Sequence, residues 1–571
     1  MTMELSGVKQ PPRQPGPILK HVGPNIFPDF PAFHRLLYIA NVQQDKTVIR
    51  DVAVGLEVTH AQYLSDILRL RNTLLSHLDP DIQQKLLRGE EVFICLLAKG
   101  GYEFAVGLFA IIAVGAIAVP ISASVTVKEA TYFVRTAEAC AILTTSECMK
   151  TGNELATVVQ QGENPKFFAL PITEGLNQPG IPLGEIFISS DHELPLSGPG
   201  LVIFTSGTTG PPKGALKKRS FYMNNSETFA NWWRLGENDV VLHVLPVHHS
   251  TGLSVTFLAP LISGACVEFG AKARFSAAAM WERWLQGGLT VFSGVPTMYQ
   301  RMMRYYEDEV VKKGPQEAAK YADAARAFRL LLCGTSALPF SLQTKWIKLL
   351  GGERRILERY GGTEFSGIFS VQPGDMKNPD GSVGKVLPGV EVKLSNGEEG
   401  EILSKSPHMF TRYLQNAKAT ASAFTPDGWY KSGDIARREG DYYFILGRAS
   451  IDIIKSGGYK LSALEIEREI IGLDYIAEAI VVGVDDEEYG QKVAVAVVQR
   501  KGSHKPLTID RLRNDVRSRL SAYKMPQLLR LVDDFPRTPT GKVVKRRVRQ
   551  ELFPPGGHPE LQVYKGRKAK L

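Results

Sequence analysis

The chain has few cysteines, and none of them fall in a pattern. Five are scattered over 571 residues (Cys95, Cys140, Cys148, Cys266, Cys333), with no Cys-x-x-Cys pair and no histidine cluster beside them. That argues against a disulfide framework or a zinc site and implies reduced, mostly buried thiols in a reducing compartment. Long apolar runs are also lacking. The longest, Phe104 to Val119, is rich in alanine and glycine, stops at Pro120, and is short for a membrane span. It predicts a buried helix after a strand at Glu91–Ala98, with no stable membrane insertion. No Gly-Lys-Ser/Thr closes a glycine-rich loop, which excludes a Walker A site. Internal repeats and low-complexity segments are absent.

Charge of one sign is lacking everywhere except at one end. The formal net charge is +9, but residues 537–571 carry ten Lys/Arg and two Glu, a balance of +8, so the remainder is nearly neutral. A basic tail without an RNA- or DNA-binding motif does not predict a nucleic-acid partner; a basic rim near an anionic nucleotide explains it equally well. The tail ends in Ala569-Lys570-Leu571, a variant of the Ser-Lys-Leu address read by a peroxisomal import receptor. Its plain alternative is a solvated basic tail, with a cytoplasmic protein. Four prolines in the first twenty residues argue against a mitochondrial presequence.

What is present is a loop. The apolar run Leu201–Phe204 reads as a short buried strand, and it empties into Thr205, Ser206, Gly207, Thr208, Thr209 and Gly210, followed by Pro-Pro-Lys213-Gly214. Glycines let backbone N–H groups approach a ligand closely, hydroxyls add donors, and Lys213 adds a point charge, a combination suited to a polyphosphate. Up to about residue 447, short apolar strands (Val240–Leu245, Leu289–Phe292, Leu330–Cys333) alternate with helical stretches. This predicts an α/β fold: a large N-terminal domain of layered, mainly parallel sheets with helices. Functional loops then follow strand carboxyl ends, at Thr205, Pro246–Gly252, Gly334–Leu338 and Tyr360–Gly367. After Gly447-Arg448 the texture changes. Ser462-Ala-Leu-Glu465 reads as a capping box for a helix Ala463–Ile470. Strands at Ala479–Val482 and Val493–Val498, a helix near Ile509–Leu520 and a strand at Leu528–Val532 complete a small α+β domain. The predicted division is 1–447, a hinge at 448–452, and a mobile domain at 453–571.

Five motifs in order resemble those of the adenylate-forming superfamily of acyl-CoA synthetases, adenylation domains and luciferases: Thr205–Gly214, Tyr360-Gly-Gly-Thr363-Glu364, Lys431-Ser-Gly-Asp434, Gly447-Arg448 with Lys455-Ser-Gly457-Gly458, and Pro539-Thr-Gly-Lys542. The resemblance implies activation of a carboxylic acid by ATP to an acyl-adenylate, then transfer to CoA, with Mg²⁺ assisting. It assigns the phosphates to Thr205, Ser206, Gly207, Thr208, Thr209 and Lys213, and Mg²⁺ to Glu364 with Thr209. It assigns adenine to Gly334, Thr335, Ser336 and Tyr360, with Thr363 beside them. Asp434 and Arg448 fall to the ribose, and Lys455, Gly457 and Gly458 to CoA. Lys542 becomes the catalytic lysine that bridges carboxylate and phosphate. The small domain is implied to rotate between the two half-reactions.

The run Gly447-Arg-Ala-Ser-Ile-Asp-Ile-Ile-Lys-Ser-Gly-Gly-Tyr-Lys460, together with Glu358-Arg359, is similar to the malonyl-CoA synthetase branch. A buried Arg359 guanidinium suits the distal carboxylate of a dicarboxylic acid; the alternative is a structural ion pair with Glu358 or another acid. Gly362 stands where the branch carries a larger residue, implying a wider pocket floor. In Pro246-Val-His-His249-Ser-Thr-Gly252, His249 matches the first histidine of a His-x-His pair and Thr251 replaces the second; His249 either gates the acid site or is simply packed. The expected activity is therefore an acid–CoA ligase for malonate or a small substituted malonate. Its alternatives are a peroxisomal ligase for a medium-chain or aromatic acid, or an enzyme loading a carrier protein.

Overall fold

A computed structural model describes residues 23–162, 164–176, 178–205, 211–270, 275–335, 338–456, 459–500, 507–537 and 543–564. Two sheets dominate the first 450 residues. One has seven strands in the order Arg412–Tyr413, Lys213–Lys218, Pro199–Thr205, Ile117–Ser122, Phe93–Ala98, Ala141–Thr144, Phe168–Pro171, the last five mutually parallel. The other has nine strands, and its parallel core runs Leu357–Gly362, Leu330–Cys333, Val291–Gly294, Val240–His243, Cys266–Phe269, Thr47–Asp51. Short, almost wholly apolar strands suit such sheets because helices cover both faces. Leu330–Cys333 is buried at every position and coincides with its predicted bounds. The five cysteines are free thiols, four buried and Cys140 partly so.

A four-stranded antiparallel sheet follows, formed by Glu391–Leu394, Glu399–Lys405, Tyr430–Glu439 and Tyr442–Arg448. From Ile453 onward the chain builds a separate sheet around a long antiparallel pair, Ile476–Asp486 with Gly490–Gln499, backed by the helices Ala463–Ile471 and Ile509–Val516. The class is as expected: layered α/β, then a small α+β unit.

Three local expectations are corrected. The apolar run Phe104–Val119 is two elements: a helix Tyr102–Ala113 and a strand Ile117–Ser122, broken at Gly115, whose φ of 87° only glycine adopts without strain. Tyr360–Gly367 is not a loop but a hairpin, since Leu357–Gly362 pairs antiparallel with Ser366–Ser370. The capping box at Ser462 is half formed: Ser462 accepts from the Glu465 N–H at 3.1 Å, but the Glu465 carboxylate turns away to Lys524. No described helix is long and apolar enough to cross a membrane.

Candidate functional site

Six of the predicted residues, Thr205, Lys213, Tyr360, Glu364, Asp434 and Arg448, come together where the seven-stranded sheet, the nine-stranded sheet and the antiparallel sheet meet. Thr205 is the last residue of its strand and Lys213 the first of the next, paired in register, so the loop between them springs from a closed antiparallel neck. Lys213 thus belongs to a strand rather than to the loop itself. Ser206, Gly207, Thr208 and Thr209 lie outside the described residues, as do Ser336, Gly457, Gly458, Lys542 and the tripeptide Ala569-Lys570-Leu571.

The hairpin Leu357–Ser370 is the hub. Tyr360 donates its hydroxyl to Asp434 Oδ2 at 2.6 Å, while Arg448 Nε donates to Asp434 Oδ1 at 3.1 Å. Asp434 and Arg448 face each other across an antiparallel pair, so strand register alone sets their contact. Both oxygens of Asp434 are engaged, and a ribose diol arriving there shares them with Tyr360 and Arg448. Tyr360 packs between Phe365 and Phe369, with ring centroids 5.8 and 5.7 Å away. Thr363 sits partly buried at the hairpin turn.

Glu364 accepts a hydrogen bond from the Tyr413 hydroxyl at 2.9 Å, and the ammonium of Lys213 lies over the Tyr413 ring, 5.1 Å from its centroid. Tyr413 therefore joins the phosphate-side lysine to the acid assigned to the metal. No group of three or more His, Cys, Asp or Glu side chains able to hold a metal ion occurs among the described residues. One carboxylate is too few for a dedicated protein cage, but it fits Mg²⁺ that arrives on the phosphates of ATP.

Below this lies a lysine that motif reading passed over. Lys217 is fully buried and donates to the carbonyls of Glu364 (3.3 Å) and His408 (2.9 Å) and to Ser366 Oγ (3.0 Å). Burial pushes its pKa down to about 7. Ser366 sits at φ 61°, a left-handed conformation costly for a non-glycine residue, and its hydroxyl spans Lys217 and His408. The alternation of a strand was the available signal: Lys217 shares a face with Lys213 and Ala215, toward the Glu364 hairpin.

Arg359 and Glu358 do not pair. Neighbours on a strand point to opposite faces. Glu358 accepts from the Leu338 N–H at 3.2 Å, with Arg468 and Arg355 contributing positive charge. Arg359 turns the other way, toward Ser293 Oγ at 3.4 Å, near Tyr299 and Cys333. Among the described residues no carboxylate lies within ion-pair distance of it, and its buried Nε has no hydrogen-bond partner. Desolvation pushes the guanidinium down to about 10, still charged at neutral pH. Gly334 makes room for it, since a Cβ there would lie 2.9 Å from Arg359 Cζ. Gly334→Ala should therefore shift the Arg359 head. The expected result is about a tenfold rise in KM for the preferred acid with melting temperature unchanged, read by steady-state kinetics and thermal melts. The next residue, Thr335, is held at φ 78°, strain of the kind found at ligand sites.

One expectation about the acid pocket changes. The space left by Gly362 is filled: a Cβ there would lie 2.6 Å from the Phe365 ring, so the missing side chain does not widen the floor at that point. His249 occupies the N-cap position of the short helix Ser250–Leu253 without a side-chain capping hydrogen bond, and its ring lies tilted at 4.5 Å from that of His248, whose pKa burial pushes down to about 3. Lys455 is exposed on its strand, its backbone N–H donating to Gln491.

Glu358 yields a pH prediction. Burial raises its pKa from 4.5 to about 7. Between those values the unfolded chain gives up its proton first, so the fold loses stability as pH rises, completely so above about 7. Glu358→Gln removes this loss and keeps an acceptor for Leu338. The variant should melt progressively higher than the parent as pH climbs from 4.5 to 7, by about 3 kcal/mol at the plateau. A difference that does not vary with pH would refute the assignment.

The family model described as AMP-binding enzyme matches residues 38–414, and the AMP-binding enzyme C-terminal domain matches residues 465–542. The chain belongs to the AMP-binding enzymes. Within that adenylate-forming superfamily it lies on the malonyl-CoA synthetase-like branch, and it is an AMP-forming acid–CoA ligase. It is 35% identical over 494 residues to a probable CoA ligase, CCL8, of Humulus lupulus, covering 80% of this chain and 79% of that one. It is 35% identical over 489 residues to a malonate–CoA ligase of Arabidopsis thaliana, covering 80% and 78%. The fold is similar to ATP-bound MatB from Rhodopseudomonas palustris at a TM-score of 0.74 and 25% identity, covering 90% and 98%.

Proposed function

We propose that this ligase activates malonate or a small substituted malonate. The observation that carries the reading is Arg359: a charged, desolvated guanidinium whose Nε has no hydrogen-bond partner and which, among the described residues, has no carboxylate within ion-pair distance. A partly buried, desolvated cation with no counter-ion among the described residues carries a cost that an anion supplied from outside would offset. The distal carboxylate of a dicarboxylic acid is that anion, and Ser293 adds a hydroxyl beside it.

The near carboxylate attacks the α-phosphate of ATP. The P–O bond to pyrophosphate breaks as the acyl–O–P bond forms. Two anions meet in that step, and the charge must be met by donors and cations. In this reading Lys213 and the loop after Thr205 hold the phosphates. Glu364, oriented by Tyr413, holds Mg²⁺, which supplies Lewis-acid neutralisation when bound. Asp434 and Arg448 hold the ribose, and Gly334, Thr335, Ser336 and Tyr360 enclose the base. Lys542 bridges carboxylate and phosphate. The small unit after 448–452 then turns so that the thiol of CoA, guided past Lys455, Gly457 and Gly458, displaces AMP from the acyl carbon.

The test is a pyrophosphate-release screen with malonate, methylmalonate, oxalate, octanoate and 4-coumarate, each with CoA. Malonate or methylmalonate should give the highest kcat/KM. Turnover confined to monocarboxylates would remove the reading. The specific observation that favours this second outcome is Thr251, standing where the branch keeps a second histidine.

A further inference from the structure

Lys545 opens the helix Lys545–Leu552, three residues beyond Lys542. Its ammonium is enclosed by two carboxylates, Asp452 Oδ1 at 2.5 Å and Glu467 Oε1 at 2.7 Å, and none of the three side chains is more than 13% exposed. Each acid has a second attachment. Asp452 Oδ2 accepts the backbone N–H of Arg448 at 3.0 Å, while its own N–H donates back to the Arg448 carbonyl at 2.8 Å. Glu467 accepts the Val481 N–H at 2.7 Å, fixing the cluster to the central hairpin of the small sheet. Gly447, at φ 122°, approaches so closely that a Cβ there would lie 2.4 Å from Asp452 Cβ. The turn Gly447–Asp452 is thus wound around the carboxylate that holds Lys545.

The chain on the other side, at Arg537, is held as well. Arg537 pairs with Val543 in an isolated antiparallel bridge and makes ion pairs with Glu478 and Asp534. The described residues on either side of 538–542 are thus two charged posts, Arg537 and Lys545, the second tied to the turn that bears Arg448.

A buried ion cluster contributes little net stability, because desolvation offsets the attraction. What it does give is direction: two acids on different elements accept one ammonium in a single geometry. Removing the lysine leaves two carboxylates facing each other with nothing between them. An apolar contact would hold the helix as firmly but would not fix its rotation about its own axis.

We propose that Lys545 is a positioning residue for the adenylation half-reaction: by bridging Asp452 and Glu467 it fixes the span carrying Lys542 to the Gly447–Asp452 turn, so that lysine and turn move together. This rests on the reading of Lys542 as the adenylation lysine. The thioester half-reaction does not use Lys542 and is indifferent to this tether.

The experiment uses the full chain in three assays: pyrophosphate–ATP exchange, thioester formation from a chemically prepared acyl-adenylate and CoA, and thermal melting. The variants are Lys545→Met, Lys545→Arg, Glu467→Gln and Lys542→Ala. Lys545→Met should lower the kcat of exchange about 10²-fold, the effect of roughly 1 Å of misplacement, with KM for ATP and thioester formation near wild type. Lys545→Arg should recover most of the loss. Exchange at wild-type rates in Lys545→Met, beside an inactive Lys542→Ala, would overturn the tether and leave Lys542 in its role. Exchange surviving in Lys542→Ala would remove the underlying reading and the proposal with it. Equal loss of both half-reactions and of melting temperature in Lys545→Met and Glu467→Gln would overturn it as well, since that is the behaviour of a purely structural pillar.

Discussion

Arg359→Leu should lower kcat/KM for malonate by about 10²–10³-fold, the cost of truncating one partner of a buried, hydrogen-bonded charge pair. The same substitution should leave the KM for ATP unchanged and the melting temperature equal or higher. Among the described residues the guanidinium has a long contact to Ser293 and an unpartnered Nε, so removing it relieves a desolvation cost rather than breaking a bond. Lost activity together with gained stability marks a residue kept for its ligand. Arg359→Lys should not rescue, because a lysine cannot present the planar fork that a carboxylate takes up bidentately. Steady-state kinetics on malonate and on a monocarboxylate check the claim. A malonate kcat/KM in Arg359→Leu close to that of the parent would rule it out.

The second large effect belongs to Glu364. Glu364→Gln keeps the size and an acceptor for Tyr413 but removes the charge that would face Mg²⁺. The expected result is about a 10²–10³-fold fall in the kcat of pyrophosphate exchange, as for loss of one electrostatic element in a preorganised site. Raising Mg²⁺ should recover part of it. Tyr413→Phe should cost less, about tenfold, since it removes one hydrogen bond to a charged acceptor and leaves the carboxylate in place. Exchange measured across a Mg²⁺ titration in both variants tests the order. Tyr413→Phe falling further than Glu364→Gln would show that the tyrosine, not the acid, is the active partner.

The elements that could be read in advance are those whose geometry is local. Leu330–Cys333 is four apolar residues between polar breaks, and it forms a strand over those four. Asp434 and Arg448 sit in short motifs on consecutive strands, and antiparallel register brings them together without help from the rest of the chain. The run Phe104–Val119 defeated pattern reading because buried helices and buried strands use the same alanine, isoleucine and valine; only Gly115 marked the break. Tyr413 and Lys217 escaped for a different reason. Their contacts with the Glu364 hairpin span 49 and 147 residues, and nothing in either local sequence announces a partner so far away. The alternative of a Glu358–Arg359 pair was excludable from the sequence: once both residues lie on one strand, they cannot share a face.

The contact between Asp434 and Arg448 has a mechanical corollary. Arg448 ends its strand, and the turn beginning there is where rotation is proposed. On the proposed roles the pivot would be mounted on the wall of the nucleotide chamber, like a door hung from the frame of the room it closes. A swing about such an axle displaces the far side of the door widely and the jamb hardly at all, so the adenylate can stay seated while one face of the enzyme is exchanged for another.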